Sequence, residues 1–367
     1  MMRTAASPGV RHRHIKKKGQ ETMPRVHFVN VAPGDCTIIQ HVSKRVTVMD
    51  ICDGNMKSAA LEESKEMAYV YKIAAERVNG NFRMCENRTN PLDYMEKIGV
   101  KSVFRFVLSH PDMDHMDGLD ALAEKYKVYN FWDSGSRREK PPFEGGRYKE
   151  EDWDRYVAMR DGNNEGTGAK VRQAGHRFAY ANRTDGDKDG GDGLHILAPT
   201  SELVIDADES DDVNDGSYVL LYRSSGGKIL LPGDAHDKSF EHIRKNYRKD
   251  VAGCAFMLAP HHGRDSNRDY TFLDDIRPTV TLLGCSPSQH IDYRQWSQRG
   301  LEYFMSNQAG NVVLDISDKL IEVYVENKNF VIASKRPLIP NDLGYFMLYR
   351  IVDGALDKSW YEEAAAG

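Results

Sequence analysis

Four side chains able to bind a metal ion fall within the six residues His110-Pro-Asp-Met-Asp-His115, directly after the apolar run Val103-Phe-Arg-Phe-Val-Leu108. Imidazole beside carboxylate is the donor set that zinc, manganese and iron accept. Ionisable groups packed this densely are costly unless an ion compensates them. A tight loop at a strand end can aim alternate side chains at one point, and the chain repeats the device twice. Asp234 follows Leu230-Leu-Pro-Gly233, where a glycine turn lets the carboxylate project, and His261-His262-Gly263 follows the apolar run Ala255–Ala259. Either alone is an ordinary turn; three such strand ends in one chain reinforce one another.

The candidate metal ligands are therefore His110, Asp112, Asp114, His115, Asp234, His261 and His262. Two divalent ions, zinc or manganese, held by such a set lower the pKa of a water and compensate charge on the electrophile. Asp112 and Asp114 are the candidate catalytic residues, able to orient that water as well as ligate. Asn214 and Ser217 are candidate substrate-binding side chains that could donate hydrogen bonds to a phosphate, although both types are equally at home in plain turns. Lys228 and Arg264 are weaker candidates for the same task.

The elements that must position these residues read as alternating strands and helices, an α/β pattern. Strands are expected at Val26–Val31, Cys36–Ile39, Val46–Met49, Val103–Leu108, His195–Leu197, Tyr218–Tyr222, Lys228–Leu231, Ala255–Ala259 and Thr279–Leu283. A closing strand set is expected at Asn311–Ile316, Leu320–Val325 and Phe330–Ala333. Residues 56–78, Leu92–Ile98, Leu119–Tyr126, Glu150–Met159 and Lys238–Tyr247 have helical composition with few breakers. Residues 133–193 are polar and glycine-rich and read as an insertion over the mouth of the site, large enough to bind a protein partner. Asp185-Gly-Asp-Lys-Asp-Gly190 imitates half of a calcium loop, but Ile196 stands where its bidentate glutamate belongs, so it reads as a solvated acidic loop.

The chain of 367 residues is long enough for a full core, and 40% apolar with 29% charged residues is a globular balance. A net charge of −5 gives no global drive toward nucleic acid, so a phosphate substrate must be held locally. Five scattered cysteines without a C-x-x-C pair suggest reduced thiols, and no apolar run is long enough to span a bilayer. The expectation is a cytoplasmic protein with no membrane partner. Residues 1–24 read as a flexible basic leader with Met23 as a candidate start, 25–335 as the hydrolase domain, and 336–367 as a C-terminal extension packed on or beside it. No phosphate-binding Gly-rich loop or serine-hydrolase elbow occurs.

Val26-His-Phe-Val-Asn-Val-Ala-Pro-Gly-Asp-Cys36, Ser109-His-Pro-Asp-Met-Asp-His-Met-Asp-Gly-Leu119, Asn214-Asp-Gly-Ser-Tyr-Val-Leu-Leu221, Leu231-Pro-Gly-Asp-Ala235 and His261-His-Gly263 occur in this order. With these motifs the chain resembles the metallo-β-lactamase fold superfamily, and specifically its ComEC-like branch, from Arg25 to about Ala333. The resemblance implies an αββα four-layer sandwich with a pair of ions at one edge, bridged by Asp234. It places Asp114, His115 and one histidine of the 261–262 pair on one ion, and His110 with Asp112 on the other. The superfamily more often has histidine at the position of Asp112, and an aspartate there favours manganese or another oxygen-loving ion. The superfamily's separate third-motif histidine has no match: His176 and His195 lie in the right interval but read as structural. Asn214, Asp215 or water would then complete one ion.

The function that follows is a metal-dependent hydrolase, foremost a phosphodiesterase or nuclease acting on nucleic acid or a nucleotide. Hydrolysis of another ester, a thioester or a lactam is the alternative within the superfamily. A non-catalytic subunit with a structural metal site is the alternative outside it.

Overall fold

The computed structural model describes residues 23–31, 33–53, 82–143, 146–164, 166–175, 178, 180, 182, 191–210, 212–286 and 290–366. The basic leader up to residue 22, the helix expected at 56–78, the calcium-loop imitation and His176 lie outside them.

Near-continuous apolar runs give strands whose two faces are both buried, as in a sheet covered on both sides. The first sheet contains β1 (Arg25–Phe28), β2 (Thr37–Gln40), β3 (Val46–Met49), β4 (Val103–Val107), β5 (Val128–Asp133) and β6 (Gly168–Val171). The second contains β7 (Leu194–Ala198), β8 (Val219–Ser224), β9 (Gly227–Leu231), β10 (Phe256–Leu258), β11 (Val280–Leu283) and β12 (Glu302–Met305). The chain then returns to the first sheet through β13 (Val312–Ser317), β14 (Leu320–Val325), β15 (Phe346–Val352) and β16 (Ala355–Leu356). The first sheet has the order β16-β15-β14-β13-β1-β2-β3-β4-β5-β6 and the second β12-β11-β10-β9-β8-β7. From β3 to β6 and from β9 to β12 neighbouring strands are parallel; the remaining pairs are antiparallel.

Three cores set the layer order. Val26, Ile39 and Val107 from the first sheet meet Leu220, Ile229 and Phe256 from the second, so the sheets pack face to face. On the outer face of the first sheet, Ile38 and Phe106 pack with Leu119 and Leu122 of the helix Leu119–Lys125 and with Trp153 and Tyr156 of the helix Glu150–Arg160. On the outer face of the second, Leu221 and Met257 pack with Phe240 and Ile243 of the helix Asp237–Val251 and with Trp296. The result is an α/β sandwich of four layers, αββα, the metallo-β-lactamase type of architecture that the resemblance implies.

Two stretches depart from the sequence reading. Phe330–Ala333 is not a strand but part of the helix Lys328–Ala333, whose first turn is capped by Asn327 accepting from Asn329 N at 3.1 Å. Four apolar residues cannot distinguish a strand from one buried helix face, and the cap decides. The polar 133–193 stretch contributes β6 and the helix Glu150–Arg160 to the sandwich itself; its strap 134–143 runs past the metal loop. In the C-terminal 336–367 segment, β15 hydrogen-bonds to β14 and so lengthens the first sheet.

Candidate metal centre

The loop His110–His115 begins where β4 ends, and its backbone is tied on both sides. Ser109 N donates to Asp50 Oδ1 at 2.6 Å, Tyr218 N to Ser109 O at 2.8 Å, and Ile51 N to His115 O at 3.0 Å. The Tyr218 bond joins the two sheets at the point where the loop starts, so ligand-type residues from both sheets converge there. Two glycines make this approach possible. A Cβ on Gly34, at φ 145°, would lie 2.2 Å from Asp114 O, and one on Gly233, at φ 51°, would lie 2.8 Å from Ser109 Cβ. Neither turn could come so close with a side chain.

At this convergence, among the described residues, three groups of donor atoms form, each within 4.8 Å of one another: His110, His115 and Asp234; Asp114, His115 and His262; and Asp35, Asp234 and His262. His115 Nε2 stands 3.3 Å from Asp234 Oδ1, and His262 Nε2 stands 3.6 Å from Asp234 Oδ2 and 3.7 Å from Asp114 Oδ2. His261 Nε2 reaches Asp234 Oδ2 at 3.6 Å from the other side. His261 and His262 hold left-handed backbones at φ 51° and 55°, a conformation that costs free energy in a non-glycine residue and is concentrated at functional sites.

Burial and charge together explain the electrostatics. Burial disfavours a charge on His115, but the carboxylates of Asp234, Asp114 and Asp50 outweigh it and hold its pKa well above the ordinary value. For His262 burial is likewise outweighed, by Asp234 and Asp35. Burial, then the neighbouring His115, lowers the pKa of His110, whose ring centroid is 4.4 Å from that of His115. Burial also takes His261 down to about 4. Against burial, the surrounding histidines pull Asp114 and Asp234 well below the usual carboxylate range.

The residues fit a metal. His115 Nε2, Asp234 Oδ1, Asp35 Oδ2 and both ring nitrogens of His262 are buried with no well-formed hydrogen bond among the described residues. Such atoms carry a desolvation cost that a cation at their centre relieves. Imidazole and carboxylate donors together suit zinc or manganese.

Of the sequence candidates, the structure brings together His110, Asp114, His115, Asp234, His261 and His262. It does not bring in Asp112. That carboxylate caps the turn Met113–His115 by accepting from Met113 N at 2.9 Å, is 41% exposed, and pairs with Arg138 Nη1 at 3.3 Å. The local cap and the arginine turn it outward. Asn214 lies half-buried in the turn Val213–Gly216, whereas Ser217 is wholly buried, so its hydroxyl does not face solvent. Asp215 caps the helix Asp237–Val251, accepting from Ser239 N at 3.0 Å, and groups with Asp212 and His236 rather than with Asp234. His195 is in none of the described groups.

Sequence reasoning missed the residues that support these donors. Asp50 Oδ2 accepts from His115 Nδ1 at 2.9 Å, Asp35 Oδ2 lies 3.3 Å from His262 Nδ1, and Arg268 Nη2 lies 3.3 Å from His261 Nδ1. Ser109 Oγ sits 3.1 Å from His110 Nδ1 and 3.2 Å from His115 Nδ1. A signal was present for two of them, since Asp50 ends the apolar strand β3 and Asp35 stands in the Gly-Asp turn after β1.

An αββα sandwich with histidines and aspartates gathered where the two sheets meet is thus the class that fold and site define. Among solved structures, the chain is similar to a mutant of the CmlA β-hydroxylase, with a TM-score of 0.43 and 11% identity over 80% of this chain. It spans 54% of that chain, about half its length. It is also similar to the metallo-β-lactamase fold protein YhfI from Bacillus subtilis, with a TM-score of 0.40 and 12% identity over 79% of this chain and 98% of that one. A third similarity is to a diphosphatase of the PhnP family, with a TM-score of 0.33 and 10% identity over 74% of this chain and 81% of that one. Likenesses of this size carry no inference about reaction or substrate. No family model and no curated protein matches the chain.

Proposed function

We propose that the chain is a metal-dependent hydrolase acting on phosphodiesters, a ComEC-like phosphodiesterase or nuclease in the cytoplasm. The observation that carries the reading is the convergence of buried, unsatisfied donor atoms of His115, Asp234 and His262, with His110 and Asp114 beside them. These residues would hold two divalent ions, zinc or manganese, with Asp234, which lies within 3.6 Å of His115, His261 and His262, as the donor common to them. Such ions, when bound, supply Lewis acidity and charge compensation for an in-line displacement. The protein's own part is orientation. Asp50 and Ser109 fix the rings of His115 and His110, Asp35 faces the back of His262, and Arg268 faces the back of His261. Asp114, only partly exposed at the mouth, is the carboxylate that would orient the attacking water.

Elemental analysis of protein purified without added metal, run beside hydrolysis of bis(p-nitrophenyl) phosphate with zinc, manganese or chelator, tests this. About two ions per chain and cleavage that needs them support the reading. Cleavage of p-nitrophenyl acetate alone would move it to carboxylic esters. No metal and no cleavage would favour a partner-binding subunit using the 133–193 region.

A further inference from the structure

Asp112 faces away from the donor cluster, and the residue it meets comes from outside the metal loop. Arg138 uses a single nitrogen there: Nη1 stands 3.3 Å from Asp112 Oδ1 and donates to Pro111 O at 3.1 Å, next to His110. Its Nε and Nη2 have no acceptor among the described residues, and the side chain is 30% exposed. The side-on edge of the guanidinium, the one whose two parallel N–H groups match two oxygens of a phosphate or carboxylate, is therefore open at the mouth of the site.

The backbone that presents Arg138 is held in place. Ser136 Oγ accepts from Arg138 N at 3.2 Å and donates to Asp208 Oδ1 at 2.5 Å, while Asp208 Oδ2 accepts from Arg137 N at 2.7 Å. Gln173 Nε2 donates to Ser134 O at 3.0 Å, and Gly135 N donates to Asp133 Oδ2 at 3.1 Å, where β5 ends beside β4. Arg147, later in the chain, donates to Pro33 O beside Gly34 and adds positive charge near the metal loop. An ion pair as exposed as Asp112 and Arg138 contributes little to stability, so a fold-holding role gives little reason for this much scaffolding.

We propose that Arg138 is the anion-recognition residue of the site, taking two non-bridging oxygens of a phosphodiester on its Nε and Nη2 edge while Asp112 anchors Nη1 as a positioning residue. The assignment rests on the phosphodiesterase reading and deepens it: the substrate class is anionic, and Asp112 serves the arginine rather than an ion.

The test uses the full chain and its R138A, R138K and D112N variants. Three readouts are followed: binding of inorganic phosphate by calorimetry, KM and kcat on bis(p-nitrophenyl) phosphate, and metal per chain. The expected result is that R138A weakens phosphate binding by about tenfold or more. KM rises with kcat largely kept and metal content is unchanged. R138K, with the charge but not the fork, recovers only part, and D112N shifts phosphate affinity in the same direction without losing metal. Unchanged phosphate affinity in R138A and R138K, with wild-type cleavage intact, overturns the role of Arg138 and leaves the phosphodiesterase reading standing. Loss of metal in D112N overturns the positioning role by putting Asp112 among the ligands. A wild-type protein that neither cleaves the diester nor binds phosphate removes the underlying reading, and this one with it.

Discussion

Asp50 and His115, both fully buried, are joined by a 2.9 Å hydrogen bond from His115 Nδ1 to Asp50 Oδ2, and the other Asp50 oxygen accepts from Ser109 N at 2.6 Å. One carboxylate thus fixes a ring and the start of the loop that carries it. The proton is held on Nδ1, and Nε2 is left to face Asp234 and Asp114. Supporting carboxylates of this kind contribute about 10–100-fold to metal affinity. D50A is expected to lose that factor in a competition titration against a chromophoric chelator while keeping the wild-type far-ultraviolet dichroism. Undiminished affinity would mean that the His115 ring is oriented by Ser109 alone.

Asp234 lies within 3.6 Å of His115, His261 and His262, so it is the carboxylate common to three imidazoles from two loops. D234A should lose metal and turnover together, and D114A should abolish turnover with the fold intact. Because the ions would bind the folded state only, chelation should also lower stability by about 2.7 kcal/mol relative to protein holding metal at a hundredfold excess over Kd. Thermal unfolding with and without chelator reads this directly. A melting temperature indifferent to both metal and chelator would contradict metal binding at this cluster.

The turn Gly34-Asp35 makes a sharper structural prediction. Gly34, at φ 145°, passes so close to the metal loop that a Cβ would sit 2.2 Å from the Asp114 carbonyl and 2.8 Å from Cys52 Sγ. Backbone on one side cannot yield as a flexible side chain would. G34A should destabilise by at least about 2 kcal/mol in urea titration and displace Asp35 from His262. A variant as stable as wild type would show that the two loops can separate without cost.

How much of this was legible in the sequence depends on whether the signal was local. The strand-end ligands were, because an apolar run into His110, Asp234 or His261 is a pattern within ten or so residues, and β3 and β14 fell where the short apolar runs put them. The outward turn of Asp112 was not. It is decided by Arg138, twenty-six residues on, and by a one-residue cap on Met113 N. Asp35 and Asp50 look like ordinary turn aspartates until the fold carries His262 and His115 onto them. β6, with Gly-Ala-Lys-Val and no alternation, is a strand only because β5 offers it an edge, and β15 likewise completes the sheet beyond β14.

Two buried histidines far from the metal cluster predict how stability depends on pH. His27 lies between Tyr94 Oη at 3.0 Å and Gln40 Oε1 at 3.2 Å; burial, helped by Arg25, takes its pKa down to about 4. His41, 2.8 Å from Thr47 Oγ1, is taken down to about 3 by burial and then by the charge of Arg105. The folded chain therefore keeps both rings neutral at pH values where the unfolded chain protonates them. The unfolded state binds more protons between about pH 6.5 and the folded pKa values, so stability rises with pH across that window. It is fully present above about 6.5 and falls as the pH drops toward 4, by up to about 1.4 kcal/mol per unit for each histidine. Urea titrations at pH 7, 5.5 and 4.5 should show this slope in wild type. They should show a shallower one in H27Q and H41Q, whatever stability each variant has at pH 7. Equal slopes in all three proteins would mean that these rings take up protons in the folded state, and the acid sensitivity would then have to come from the other buried histidines.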